Sequence, residues 1–384
     1  GTYGPVVSSI GTNGSPGETW ASRGNGGRVE GQVNKIVSIS GTSITLEIPL
    51  YWDFNAALTP QITKINGIKT MAGIEDLTVD NQASQTNGIE IYGTANCWLK
   101  GVELNGSVQN GIEFEKSYRD TFRSCKIHEG VPSLPVTGPQ YYTSRAYGIF
   151  MNIVSASLIE NNLFYHLDMT TCMSGPNSGN VMSYNYITAM YYSENMTWQS
   201  DTFSLHGGHA RANLFEGNLG VSSFEADDIW GSSSHNVLFR NRITLDPNRP
   251  QRAFDVALYS MSSYFSIIGN VFGTTGFETA YTTATSNIDT HAIYGLDPAI
   301  SASTLIHANW DSVTNGVKWN GTDDHVLPSS LYLSGKPSWW GSMQWPAIGP
   351  DVSPMYPAAP TVGTGTPWNA SAVALSPPTS LKAQ

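Results

Sequence analysis

The sequence predicts an all-β chain wound into a right-handed parallel β-helix, a solenoid of strand-rich coils. Three observations carry that expectation: short apolar runs ending in Asn recur through the middle of the chain, the shortest step between them is 23 residues and appears twice, and the composition is poor in helix formers.

The runs are Leu158-Ile159-Glu160-Asn161-Asn162, Met182-Ser183-Tyr184-Asn185, Phe215-Glu216-Gly217-Asn218, Leu238-Phe239-Arg240-Asn241 and Ile267-Ile268-Gly269-Asn270, with Phe122-Arg123-Ser124-Cys125 placing Cys in the Asn slot. From Cys125 onward the steps are 37, 23, 33, 23 and 29 residues. A fixed minimum with variable additions is what a coil with one unconstrained loop produces, because insertions leave the stack without disturbing its core. An apolar residue stands three positions before each slot, and another two positions after it except at Gly220. Five residues apart, these cannot share one face of a flat strand of period two, so the chain must bend between them. An Asn at an inward bend is satisfied when it bonds to the Asn above and below and to the turn backbone.

A second ladder comes earlier in each coil. Ile89/Ile91, Ile112/Phe114 and Ile149/Met151 point inward while Glu90, Glu113 and Phe150 point out, each strand entered by Asn87-Gly88, Asn110-Gly111 or Tyr147-Gly148. The outward Glu90, Glu113 and Glu115 form an acidic stripe that is solvated or holds calcium weakly.

Along the chain, residues 1–70 hold an irregular segment with a hairpin around Ser40-Gly41-Thr42, residues 71–275 the regular solenoid, residues 276–370 an irregular Trp/Pro-rich C-terminal cap, and residues 371–384 a linker. Trp310, Trp319, Trp339, Trp340, Trp345 and Trp368 either cover the last coil or stack on sugars.

Only 13% of residues are charged, and a net charge of −11 excludes nucleic acid as the expected partner. Cys97, Cys125 and Cys172 are an odd number without zinc spacing. Few Lys and Cys beside many Asn, Ser, Thr, Tyr and Trp suit a secreted, extracellular bacterial protein, and an opening Gly1 without a leader implies a processed or excerpted chain. No run of 18 apolar residues offers a membrane span.

Coil length, the Asn ladder and the Asn-Gly turns resemble the pectate-lyase-like superfamily of right-handed β-helix proteins over residues 71–275. The resemblance implies a secreted bacterial polysaccharide lyase or hydrolase. The segment Leu327 to Trp340 and the Pro377-Pro378 linker look like bacterial extracellular proteins that continue into fibronectin-type modules, which would follow the linker. The catalytic strings depart from the pattern. His206-Gly207-Gly208-His209 precedes Asp227-Asp228, the reverse of the polygalacturonase order, and the Trp-Ile-Asp-His of many pectate lyases is missing. No family's catalytic residues are therefore carried over.

Reactive side chains nevertheless concentrate in two consecutive coils: Asp201, His206, His209, Arg211 and Glu216, then Glu225, Asp227, Asp228, His235, Arg240 and Arg242. His206 lies twelve residues before Asn218 and Ile229 twelve before Asn241, which stacks the two segments and sets His206 beside Asp227 and Asp228. The parity puts Asp228 inward next to Trp230. The expected chemistry is binding and cleavage of an acidic polysaccharide. In β-elimination His206 or His209 is the base, Arg211 or Arg240 clamps the sugar carboxylate, and Asp227 or Asp228 serves calcium or orients the ligands. In hydrolysis Asp228 is the acid with Asp201 or Asp227 as partner. Trp230, His235 and Arg242 complete the substrate surface, and Glu225 and Asp227 are the candidate calcium ligands. The rival reading is a non-catalytic rod, adhesin or filament subunit that self-associates.

Overall fold

Each coil bends because one residue per corner takes a left-handed conformation. Before the Asn slot these residues are Ser124, Asn161, Tyr184, Gly217, Arg240, Gly269 and Ala308, all at φ between 52° and 69°. A single left-handed residue turns the strand without a long loop, so three-residue strands follow one another around a narrow core. The computed structural model describes residues 3–10, 28–58, 60–81, 87–106, 109–130, 146–192, 195, 197–229, 232–288, 290–321 and 325–358.

The corners divide the chain into three long sheets. Face one is eleven-stranded and contains Tyr147–Ser155, Met169–Met173, Asp201–Leu205, Ser223–Ala226 and Phe254–Leu258. Face two, nine-stranded, runs from Gly73–Glu75 to Leu305–His307, and face three, ten-stranded, from Thr78–Asp80 to Gly316–Lys318. Except at the antiparallel Gly316–Lys318, neighbouring strands are parallel, so the apolar residues of successive coils stack: Phe122, Ile159, Met182, Phe215, Leu238 and Ile267 on face two align in register. They share one core with Ile112, Phe114, Ile149 and Met151 of face one and Ile127, Phe164, Ile187, Ile243 and Phe272 of face three. The expected right-handed parallel β-helix is the observed architecture.

The Asn ladder forms at the corner between faces two and three. Each side-chain amide donates to the Oδ1 of the next Asn, from Asn162 to Asn185, Asn218, Asn241, Asn270 and finally Asn309, at 2.9–3.0 Å. Each amide donates again to a backbone carbonyl of the coil before, so these buried groups are satisfied. A further ladder occupies the corner between faces one and two. There Asp120, Ser157, Asn180, Asn213 and Asn236 accept or donate in the same fashion.

At Gly220, the exception to the apolar rule, face three carries a bulge between Leu219 and Val221. The residue sits at φ +83°, and a side chain would strike the Ile187 carbonyl, which is why glycine stands there.

The N-terminal residues add a side element. Arg28–Ser40 and Ser43–Leu46 form the expected hairpin, and Tyr3–Ile10 pairs with Arg28–Ser40 and Gln61–Thr63. Val33 donates its N–H to Ser155 Oγ at 3.0 Å, fastening the hairpin to face one.

Among the described residues part of the aromatic-rich segment lies along the flank, where Trp339, Trp340 and Trp345 cover Leu163, Tyr184, Tyr186, Leu219 and Val271 from successive coils. The reason is that Leu163, Tyr186, Leu219 and Val271 stand on the outer side of face three and gain burial there. Strand winding continues past residue 275 through Ala292–Leu296, Leu305–His307 and Asn309–Asp311, where the antiparallel Gly316–Lys318 ends it. Trp368 and the 371–384 linker lie outside the described residues. Phe150, expected to point out, does so but is covered by Met169, Cys172, Tyr147 and Tyr192. The three cysteines are buried.

Candidate active site

Face one presents an outward row in which Ser204, Glu225, Ala257 and Gly295 stand in register. A bulge between Asp201 and Phe203 offsets the neighbouring strand. On this face three acids, an Arg, a His and a Tyr converge, and five of the six come from the strands Asp201–Leu205, Ser223–Ala226 and Phe254–Leu258 or from the residue that follows each. Asp201 and Glu225 are buried, as is Asp227.

Arg252 Nη2 donates to Glu225 Oε2 at 2.5 Å and reaches the Tyr259 hydroxyl at 3.4 Å, while its Nη1 lies 3.9 Å from Asp201 Oδ2. Burial pushes the Glu225 carboxyl well above the usual carboxylate range; the neighbouring Asp201 and Asp227 add to this and Arg252 opposes it. Asp201 is raised for the same first reason, against the pull of Arg252. Burial opposes the Arg252 charge, but Asp201 and Glu225 outweigh it and raise its pKa. The Tyr259 hydroxyl is pushed up to about 12 by burial and by Glu225. His206 Nδ1 lies 2.5 Å from Asp227 Oδ2, whose other oxygen accepts the Ile229 N–H at 3.0 Å. Trp198 closes one side, with the Arg252 guanidinium 5.0 Å from its ring and Tyr192 stacked on it at 5.4 Å.

The structure therefore brings Asp201, His206, Glu225 and Asp227 together and sends the other sequence candidates elsewhere. Asp228 does not point inward: the strand ends at Ala226, and Asp228 sits half-buried, accepting from the Ser260 hydroxyl. His209, fully buried, and Arg211 face the N-terminal element, each within 3.5 Å of Glu30, with Arg211 also 4.9 Å from the Trp52 ring. His235 is a left-handed corner residue stacked on Tyr264 at 5.0 Å. Arg240 is not a carboxylate clamp: its guanidinium is buried and bonds both oxygens of Asp351 at 2.7 Å and the Ile348 carbonyl at 3.0 Å. Arg242 is held by the Ile243 and Gly273 carbonyls on face three. Trp230 lies outside the described residues.

Glu225 and Asp227, the proposed calcium ligands, are engaged by Arg252 and His206, and among the described residues no group of three His, Cys, Asp or Glu is spaced to hold a metal ion. In the acidic stripe Glu113 accepts from Asn87 and Asn110, and Glu115 from Asn152.

Sequence reasoning missed Arg252 and Tyr259. They lie in the third coil, one beyond the two that held the clustered residues, and Tyr259 follows Leu258, which pairs with the Ala226 preceding Asp227.

Among the described residues no helix is long and apolar enough to cross a membrane. The model of the right-handed β-helix region matches residues 64–272. No curated protein matches the chain. Among solved structures the chain is similar to the tailspike protein gp61 of Pseudomonas phage phi297, at 11% identity and a TM-score of 0.49 over 83% of this chain and 57% of that one. The tailspike gp49 of Pseudomonas phage LKA1 gives 14% identity and a TM-score of 0.46, over 72% and 43% of the two chains. PfbA, a surface adhesin of Streptococcus pneumoniae, gives 13% and 0.34, over 64% and 61%. The chain thus spans less than two thirds of each of these chains' lengths. With the family model covering more than half of its residues and three parallel sheets stacked coil on coil, this chain belongs to the right-handed β-helix family.

Proposed function

We propose that the chain is a secreted polysaccharide-binding protein that cleaves its glycan by hydrolysis on the outer side of face one. One observation carries the reading: buried Glu225 and Asp201 stand beside Asp227 and Arg252, and burial raises the Glu225 carboxyl well above the usual range next to an acid of different surroundings. Unequal carboxyls are what glycoside hydrolysis uses, one to protonate the leaving oxygen and one to activate water or attack the sugar. Glu225 is the acid. Asp227, fixed by His206 and the Ile229 N–H, takes the proton of the attacking water.

Elimination from an acidic sugar fits these residues less well, because Arg252 is already paired with Glu225, and Arg240 is spent on Asp351. The test is a screen of acidic and neutral polysaccharides that follows reducing ends and the ultraviolet absorbance of unsaturated uronate together. Hydrolysis releases reducing ends without the absorbance, and Glu225→Gln abolishes them. Absorbance in the products would replace hydrolysis by elimination. No turnover on any glycan would leave a non-catalytic adhesive rod.

A further inference from the structure

A cavity of about 380 Å³ opens on the other side of the corner that joins face three to face one. Three successive coils build it: Tyr186 to Tyr191, Leu219 with Gly220, and Arg242 to Asp246; Tyr356 and Pro357 of the flanking segment close it. The bulge at Gly220, where no side chain fits, helps to open its floor.

Its wall carries a cation. The Arg242 guanidinium lies 4.6 Å from the Tyr356 ring, is anchored to the Ile243 and Gly273 carbonyls, and forms no ion pair among the described residues. The acids whose field it feels, Asp255 and Glu278, are pushed upward by burial, and both oxygens of Asp255 lack a hydrogen-bond partner. The acid that lines the wall, Asp246, pairs with Arg249 at 3.4 Å. Hydroxyls of Thr188, Ser222 and Thr244 line the remainder. An aromatic ring, a fixed cation and several hydroxyls in a space of this size match a charged pyranose.

We propose that this cavity binds one uronate unit of a polysaccharide, its carboxylate toward Arg242 and its ring against Tyr356. The site is separate from the acids of face one. Buried Gln199 fixes the wall between them: it accepts from the Ser222 hydroxyl and the Asp246 N–H and donates to the Asp246 carbonyl, and in sequence it lies between Trp198 and Asp201. The assignment rests on the polysaccharide reading but not on the cleavage.

Calorimetric titration of the whole protein with tetragalacturonate, and separately with cellotetraose, tests it. The wild type binds the uronate more tightly. Thr244→Trp, which fills the space, and Tyr356→Ala, which removes the ring, each weaken it about ten-fold or more. Thermal melts that coincide with wild type show that both variants are folded. Unchanged affinity in both cavity variants would overturn the site, and equal affinity for the two tetrasaccharides would overturn carboxylate recognition. Weakened binding in Thr244→Trp on a protein that cleaves no glycan would support the cavity and sink the hydrolytic reading alone.

Discussion

Arg252 is the residue on which the face-one site balances. It holds Glu225 at 2.5 Å and pulls its pKa down against burial. In Arg252→Gln that pull disappears, Glu225 stays protonated to higher pH, and the alkaline limb of kcat/KM moves upward while the rate falls on the order of 10². A pH–rate profile of wild type and variant checks this; coincident alkaline limbs would separate Arg252 from the acid. Asp201, His206, Glu225 and Asp227 were legible because chemically costly residues clustered in two coils. Counting from the Asn ladder set Ile229 opposite His206, yet Ala226 pairs with Leu205, so the true partner of His206 is Asp227. The error of two residues arises because the turn between faces one and two differs in length from coil to coil. The same drift hid Tyr259. Arg240 and His235 misled for a different reason: both occupy left-handed corner positions, where the side chain leaves the strand and serves the neighbouring coil or the flanking segment.

Among the elements, the two corner ladders differ in chemistry. The ladder between faces two and three is a run of Asn, and that uniformity made it visible. The one between faces one and two mixes Asp120 and Ser157 with Asn180, Asn213 and Asn236, so no single letter repeats, although the bonding is alike. Asp120 is the weak rung. Burial raises its pKa from 3.8 to about 6, against the bonds from Thr94 and the Cys97 N–H. A raised carboxyl pKa lets the folded state hold its proton longer than the unfolded one. The charge then costs stability as pH climbs from 3.8, and the full penalty is present above about 6. Asp120→Asn removes the charge and keeps an oxygen for the Cys97 N–H. It should stabilise the fold by about 1–3 kcal/mol at neutral pH and by nearly nothing at the acid end. Thermal melts of both proteins across this range decide it, and an equal shift at every pH would refute the titration argument.

For the molecule as a whole, the strand stack was legible from spacing, but the path of the C-terminal segment was not, because tertiary burial and not periodicity positions it. Tyr332 reaches Glu160 and Ser183, the Leu331 N–H reaches Glu216, and Asp351 reaches Arg240, so the segment is tied to four successive coils. Asp351→Ala leaves the Arg240 charge buried without its partner, at a cost of about 3–5 kcal/mol. Limited proteolysis should then cut within residues 325–358 while the coils persist; resistance equal to wild type would show that Arg240 is satisfied by carbonyls alone.

The Asn ladder has one more property. From Asn162 to Asn270 every side-chain amide gives one hydrogen to the Oδ1 of the Asn one coil on, so the amide-to-amide bonds all run one way. Amide dipoles arranged head to tail add along the solenoid axis and polarise one another. The column is thus a one-way electrical element within the core, and the solenoid has a polarity set by its interior as well as by the direction of its chain.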